Sequence, residues 1–152
     1  MKNLIILAAD HAGYELKEAI KKHLESKKIQ VLDVGAHELK PEDDYPEYMS
    51  AAAMHVAKDL KGETKAIIFG GSGQGEAIVA NRFPGVRAAV WYGGSEEVIK
   101  KSREHNDANI LSIGARFTDE ASAKKAVDLW LETPFSGEER HARRIEEIDS
   151  IE

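Results

Sequence analysis

The sequence predicts an α/β protein in three layers, a five-stranded parallel sheet between helices on both faces. Three observations carry that reading. Apolar runs of strand length alternate with helix-period segments five times along the 152 residues. The first run, Leu4 to Ala9, is continuously apolar, as a strand covered on both faces should be. Glycine or a polar cluster follows each run, so the chain turns where a strand of such a sheet would end.

The elements follow in order. After Leu4 to Ala9 comes Asp10-His11-Ala12-Gly13. From Tyr14 the spacing turns helical, with Leu16, Ala19, Ile20, His23 and Leu24 on one stripe and lysines and glutamates opposite. Ile29 to Val34 reads as a second strand closed by Gly35. Residues 36–46 are polar, carry two prolines and Glu42-Asp43-Asp44, and read as a surface loop long enough to wall a site. Pro46 opens the next helix, buried through Met49, Ala52, Ala53, Val56, Ala57 and Leu60. Lys65 to Phe69 is a third strand, then a glycine loop and a short helix ending near Pro84-Gly85. Val86 to Trp91 is a fourth strand, and Ser95 caps the helix after it. Asn109 to Ile113 is the fifth strand, Thr118 caps the following helix, and a last amphipathic helix runs from about 138 to 151. The whole reads as one domain, 1–152, with a Rossmann-like α/β/α sheet whose ligands sit beyond the carboxyl ends of the strands.

Composition narrows the function. The chain has no cysteine, which excludes disulfides, thiolate metal sites and a cysteine nucleophile. A net charge of −6 argues against tracking a nucleic-acid backbone, while leaving room for a local basic pocket. The first apolar run is too short for a signal peptide or a membrane span, so a cytoplasmic protein that contacts neither membrane nor nucleic acid is expected. His23, His37 and His55 show no metal-ligand spacing, and no metal site or other cofactor is expected.

The stretch richest in chemistry is Gly70-Gly71-Ser72-Gly73-Gln74-Gly75-Glu76. Four glycines within six residues, between a buried strand and a helix, leave backbone N–H groups open to an anion. The loop fits neither the dinucleotide fingerprint, being after the third strand, nor a P-loop, since no Lys-Ser or Lys-Thr follows. Glu76 is either the chemistry of the site or an ordinary first-turn acid. Asp10-His11 is likewise either an acid and imidazole of the site or a helix-capping acid beside a solvated histidine. His105 and Asn106 precede the fifth strand, at the end of the sheet opposite the strand tips. They are helix-terminating residues, or they complete the pocket of a neighbouring subunit. Arg140 and Arg144 share a face of the last helix with His141 beside them, suited to clamping a phosphate or to lying in solvent.

Taken together, Asp10-His11-Ala12-Gly13, Asp44-Tyr45-Pro46, Gly71-Ser72-Gly73-Gln74-Gly75, Asn81 to Ala88, Arg103 to Asn109, Gly114-Ala115-Arg116 and Arg140 to Ile145 resemble ribose-5-phosphate isomerase type B in their order. That family also contains the galactose-6-phosphate isomerase subunits. Members with a cysteine base carry it at the position of Gly70; another branch has G-G-S-G-N-G-E and uses the glutamate. Gly70 to Glu76 resembles that branch, with Gln74 where asparagine is usual.

The resemblance implies an aldose–ketose isomerase of carbohydrate metabolism, in the pentose phosphate pathway, acting through an enediolate. Glu76 would be the base, with Ser72 orienting it or bonding the sugar, and His105 with Asp10 would open the ring. Gly71, Ser72, Gly73, Gln74 and Gly75 would hold sugar oxygens, joined by Tyr45 and Asn106. His11, Arg116, Arg140, His141 and Arg144 would ring the phosphate. It also implies a homodimer or dimer of dimers with shared sites, the last helix reaching across. Isomerisation of a hexose 6-phosphate or tetrose 4-phosphate, or a non-catalytic phosphosugar- or nucleotide-binding flavodoxin-like module, are the alternatives.

Overall fold

A computed structural model describes residues 4–151. Five parallel strands form one sheet: β1 (Leu4–Ala9), β2 (Gln30–Asp33), β3 (Thr64–Gly70), β4 (Ala88–Trp91) and β5 (Ile110–Gly114). Their spatial order is β2-β1-β3-β5-β4. Six α-helices accompany them: α1 (Tyr14–Ser26), α2 (Tyr45–Lys58), α3 (Gln74–Ala80), α4 (Glu97–Glu104), α5 (Glu120–Glu132) and α6 (Glu139–Asp149). The chain is the three-layer α/β/α fold its alternation predicts. No helix among the described residues is long and apolar enough to cross a membrane.

Burial on both faces explains the unbroken apolar run of β1. Ile5, Leu7 and Ala9 join Leu16, Ile20, Ile67, Phe69, Ile99 and Trp130 in the core beneath α1, α4 and α5. Ile6 and Ala8 join Met49, Ala53, Ile68 and Ala80 beneath α2 and α3. Each fully buried Ile or Leu contributes roughly 1.5–3 kcal/mol, and the alternating side chains of one strand feed both cores.

Several boundaries differ from the sequence reading. β4 begins at Ala88 rather than Val86, because the Arg87 N–H donates to the Asn109 side-chain oxygen (2.7 Å) and not to a neighbouring strand. The cap of α5 is Asp119, whose Oδ1 accepts the Ser122 N–H at 2.7 Å; Thr118, one residue earlier, leaves its hydroxyl buried and unpartnered. A carboxylate is the stronger acceptor for a helix start. Ser95 does bond the Glu97 N–H (3.2 Å), although α4 opens two residues after it.

Lys17 lies on α1 and is fully buried. Its Nζ meets Asp33 Oδ2 (2.6 Å), the Ala36 carbonyl (2.7 Å) and Glu18 (3.0 Å). Burial alone would raise the Asp33 pKa, but hydrogen bonds from Lys17, Lys21 and the Gly35 N–H outweigh it and hold the carboxyl below its usual range. The pair ties α1 to the end of β2, where the 36–46 loop departs.

The reversal of strand order positions the site. The chain leaves β1 for β2 on one side and returns to β3 on the other, so a crevice opens beyond the carboxyl ends of β1 and β3. Ala9 registers with Phe69, which sets Asp10 beside Gly70.

Candidate active site

Two groups of side chains occupy opposite ends of the sheet. The first surrounds the β1/β3 crevice. Glu76 stands in the first turn of α3, which Gly73 opens in the left-handed conformation (φ 81°). The Gly73 carbonyl is fixed by the buried Ser112 hydroxyl at 2.7 Å. The Glu76 side chain folds back over Gly70: a Cβ added to Gly70 would fall on its carboxyl carbon and both oxygens. That turn leaves Glu76 only 4% exposed. Burial pushes its carboxyl above the usual carboxylate range. The Asp10 charge acts in the same direction, against hydrogen bonds from the N–H groups of Glu76 and Gly73.

Asp10 is buried at the end of β1, and its Oδ1 accepts the N–H groups of Ala12 (3.0 Å) and Gly13 (3.2 Å). It therefore caps the turn into α1 while standing near Glu76. Tyr45, at the start of α2, lies across the glycine loop; a Cβ on Gly75 would sit 2.6 Å from its hydroxyl. Arg116, on a 3-10 turn (Ala115–Phe117) after β5, donates its backbone N–H to the Gly71 carbonyl (3.0 Å). A Cβ on Gly71 would lie 3.1 Å from its guanidinium. The Ser72 hydroxyl accepts the Gln74 N–H at 3.3 Å, so it shapes the loop.

The second group sits before β5. His105 caps the end of α4 and stacks on His141 of α6, with ring centroids 4.1 Å apart and planes at 15°. His141 is buried with Nε2 unpartnered; burial, then the charges of His105 and Arg140, lower its pKa. Arg140 and Arg144 are exposed, and Arg143 pairs with Glu139 at 2.7 Å. Arg87 joins the group together. Its Nε donates to the Asn106 carbonyl (3.0 Å), Nη2 to that of Asp107 (3.0 Å), and Nη1 reaches the Asp149 carboxylate at the far end of α6.

The structure thus brings together Asp10, His11, Tyr45, Gly71 to Glu76 and Arg116. It separately gathers His105, Asn106, Arg140, His141 and Arg144. Within one chain the length of β5, on the order of 15 Å, lies between the two groups.

Sequence reasoning missed Asp43. Its Oδ1 accepts the His11 backbone N–H (3.0 Å) and lies 2.8 Å from His11 Nδ1. Three consecutive acids in a polar loop give no sign of which one turns inward. Asp10, His11 and Asp43 each offer an atom within 4.8 Å of the others, a spacing a cation could use. Here the His11 and Asp43 atoms already satisfy one another, and Asp10 is engaged by backbone N–H groups.

Known proteins match along nearly the whole chain. The ribose/galactose isomerase family model covers residues 5–148. A ribose-5-phosphate isomerase B from Mycolicibacterium paratuberculosis is 41% identical over 148 residues, covering 97% of this chain and 91% of that protein. The Escherichia coli K12 ribose-5-phosphate isomerase B is 39% identical over 150 residues, covering 97% and 95%. The crystal structure of ribose-5-phosphate isomerase B from Mycoplasma genitalium with bound ribulose-5-phosphate superposes with a TM-score of 0.90 at 36% identity. That match covers 96% of this chain and 93% of the other. In fold, in length and along almost every element described above, the chain belongs to the ribose/galactose isomerase family and is an aldose–ketose isomerase.

Proposed function

We propose that this isomerase interconverts ribose 5-phosphate and ribulose 5-phosphate, with Glu76 carrying the proton between the two sugar carbons. The reaction removes a proton from the carbon next to a carbonyl and returns it to the neighbouring carbon, so one base can serve both steps. The observation that carries this reading is the seat of the Glu76 carboxylate over Gly70, buried and with a raised pKa. A carboxyl so tuned takes up and releases a proton closer to neutral pH than an exposed one. The enediolate between the two steps is an oxyanion, and the N–H groups of Gly71 to Gly75 are donors of fixed geometry for it. Each such donor is worth roughly 3–4 kcal/mol in other enzymes.

The remaining residues follow from the chemistry of the ligand. Ring opening moves a proton between a hydroxyl and the ring oxygen, a task for His105 with Asp10 as its counterpart. Ser72, Gln74, Tyr45 and Asn106 bond sugar hydroxyls. His11, Arg116, Arg140, His141 and Arg144 surround the phosphate. No cofactor is required, because backbone amides supply the electrostatic stabilisation.

His105 and Glu76 of one chain lie a strand length apart, so a complete site takes both groups from two copies. The active unit is a homodimer or a dimer of dimers, each chain acting as one domain. Exposed Arg140 and Arg144, on a helix that buries only His141, support α6 reaching across. The enzyme works in the cytoplasm, in the pentose phosphate pathway. The ribulose-5-phosphate in the Mycoplasma genitalium relative favours the pentose over a four- or six-carbon sugar phosphate.

Mixing two inactive variants, Glu76→Gln and His105→Asn, tests the scheme. Exchange of subunits regenerates one intact site per mixed dimer, and isomerase activity returns. Activity in a strictly monomeric fraction, or none after exchange, overturns the shared site. Parallel assays on tetrose, pentose and hexose phosphates test the substrate.

A further inference from the structure

His11 directly follows Asp10 at the end of β1, yet its ring is not held by any neighbour in the chain. A single oxygen on the 36–46 loop holds it. Asp43 Oδ1 takes both the backbone N–H of His11 at 3.0 Å and the ring nitrogen Nδ1 at 2.8 Å. The Asp43 side chain is 5% exposed, against 30% for His11. Its second oxygen, Oδ2, is buried without a hydrogen-bond partner. The carboxylate therefore reaches inward from a largely exposed loop: its Oδ1 is held by His11, and the Tyr48 hydroxyl of α2 stands beside it.

A carboxylate accepts hydrogen bonds and cannot donate them, so Nδ1 carries the proton and Nε2 is the open nitrogen of the ring. Turning the ring over would replace Nδ1–H with a C–H against Oδ1 and forfeit a charge-assisted bond. The backbone bond to the same oxygen keeps donor and acceptor in register. Orienting a histidine through its second nitrogen is the arrangement used behind metal-bound and catalytic imidazoles.

We propose that Asp43 is a positioning residue for the isomerisation: it fixes His11 so that Nε2 faces the sugar phosphate, accepting from a hydroxyl when the ring is neutral and donating to a phosphate oxygen when the ring carries both protons, and thereby makes the 36–46 loop part of the binding site. This rests on the reading of the β1/β3 crevice as the sugar-phosphate site. Asp43 acts only through His11 and touches no substrate atom. The plain alternative is a loop staple that would matter equally with or without the imidazole.

A double-mutant cycle on the full-length protein separates the two, with kcat and KM measured on ribose 5-phosphate for the parent, Asp43→Ala, His11→Ala and the double variant. Asp43→Ala raises KM by about tenfold with kcat nearly unchanged, the low end of what orienting carboxylates behind ligand-bound histidines are worth. Asp43→Asn, whose amide oxygen still accepts both bonds, recovers most of that loss. In the His11→Ala background, removing Asp43 costs nothing further. An equal loss in both backgrounds, or an unchanged KM in Asp43→Ala, overturns the proposal.

Nitrogen-15 NMR of the imidazoles in the parent protein at alkaline pH gives a readout that needs neither variant nor turnover. The His11 resonances report the Nδ1–H tautomer; an Nε2–H tautomer overturns the proposal even if Asp43→Ala fails to fold. A parent protein that does not turn over ribose 5-phosphate refutes the functional reading, while the tautomer still judges the His11–Asp43 geometry on its own.

Discussion

Replacing Gly70 by alanine tests the proposed base without touching it. The new methyl would coincide with the Glu76 carboxyl carbon and both oxygens. Ordinary contact between heavy atoms begins near 3.5 Å, so the carboxylate must retreat by more than about 1 Å. A misplacement of about 1 Å in a reacting group costs on the order of 100-fold in rate, or about 2.7 kcal/mol of transition-state energy. The fold has little to lose. Gly70 is not among the positive-φ glycines, and the group in the way is the free end of a side chain. Gly→Ala at a compatible position also gains about 0.4–1 kcal/mol through the unfolded state. Gly70→Ala is therefore expected to lower kcat about 100-fold, leave KM within about threefold, and keep Tm within a few degrees. The assay is the time course of ketose formation from ribose 5-phosphate beside a thermal melt. A kcat within about threefold of the parent, in a protein that melts normally, would refute the argument, because catalysis would then not need the carboxylate at its seat over Gly70.

Three further outcomes follow from the same geometry. The double variant Gly70→Cys, Glu76→Ala places a thiol in the space the carboxylate leaves and should regain a measurable part of the turnover lost in Glu76→Ala alone; equal inactivity of the two would count against a shared base position. Glu76→Gln should abolish turnover while raising stability at neutral pH. The folded-state pKa lies above the unfolded value of about 4.5, so between the two the folded chain holds a proton that the unfolded chain has released. Stability thus falls as pH rises through that window. Melts of parent and Glu76→Gln should converge at acid pH and diverge toward neutrality, and the acid limb of the parent's kcat/KM should lie above the ordinary carboxylate range. Arg87→Ala removes hydrogen bonds to the Asn106 and Asp107 carbonyls and a contact to Asp149. It should cost about 2–3 kcal/mol, or roughly 5–10 °C in Tm, and lower turnover by loosening Asn106; an unchanged melt would show those bonds to be replaceable.

Much of this architecture was legible in the sequence, and what was hidden was hidden for physical reasons. Leu4 to Ala9 declares itself because a strand buried on both faces cannot alternate. The swap that puts β5 inside β4 cannot be read from alternation, since both orders give the same pattern of apolar runs. Val86 and Arg87 carry a strand-like signal, yet a side chain, Asn109, takes the N–H that a neighbouring strand would have used. Lys17 sits next to Leu16 and reads as part of a solvated face; only Asp33 and the Ala36 carbonyl, far along the chain, make its burial possible. Asp43 is indistinguishable from Glu42 and Asp44 until the loop is folded. His105 was visible as misplaced for a one-chain pocket, because the end of the sheet on which a residue falls depends only on whether it precedes or follows its strand.

The glycine beneath Glu76 has a chemical corollary outside the catalytic cycle. A thiolate at that spot is the atom an alkylating reagent captures and a peroxide oxidises, and beyond the sulfenic stage the damage is essentially permanent. A carboxylate is inert to both reagents, and this polypeptide contains no sulfhydryl elsewhere to be attacked in its stead. With Glu76 as the proton carrier, iodoacetamide and hydrogen peroxide find no thiolate at the site to attack, and the enzyme is expected to keep turning over in their presence.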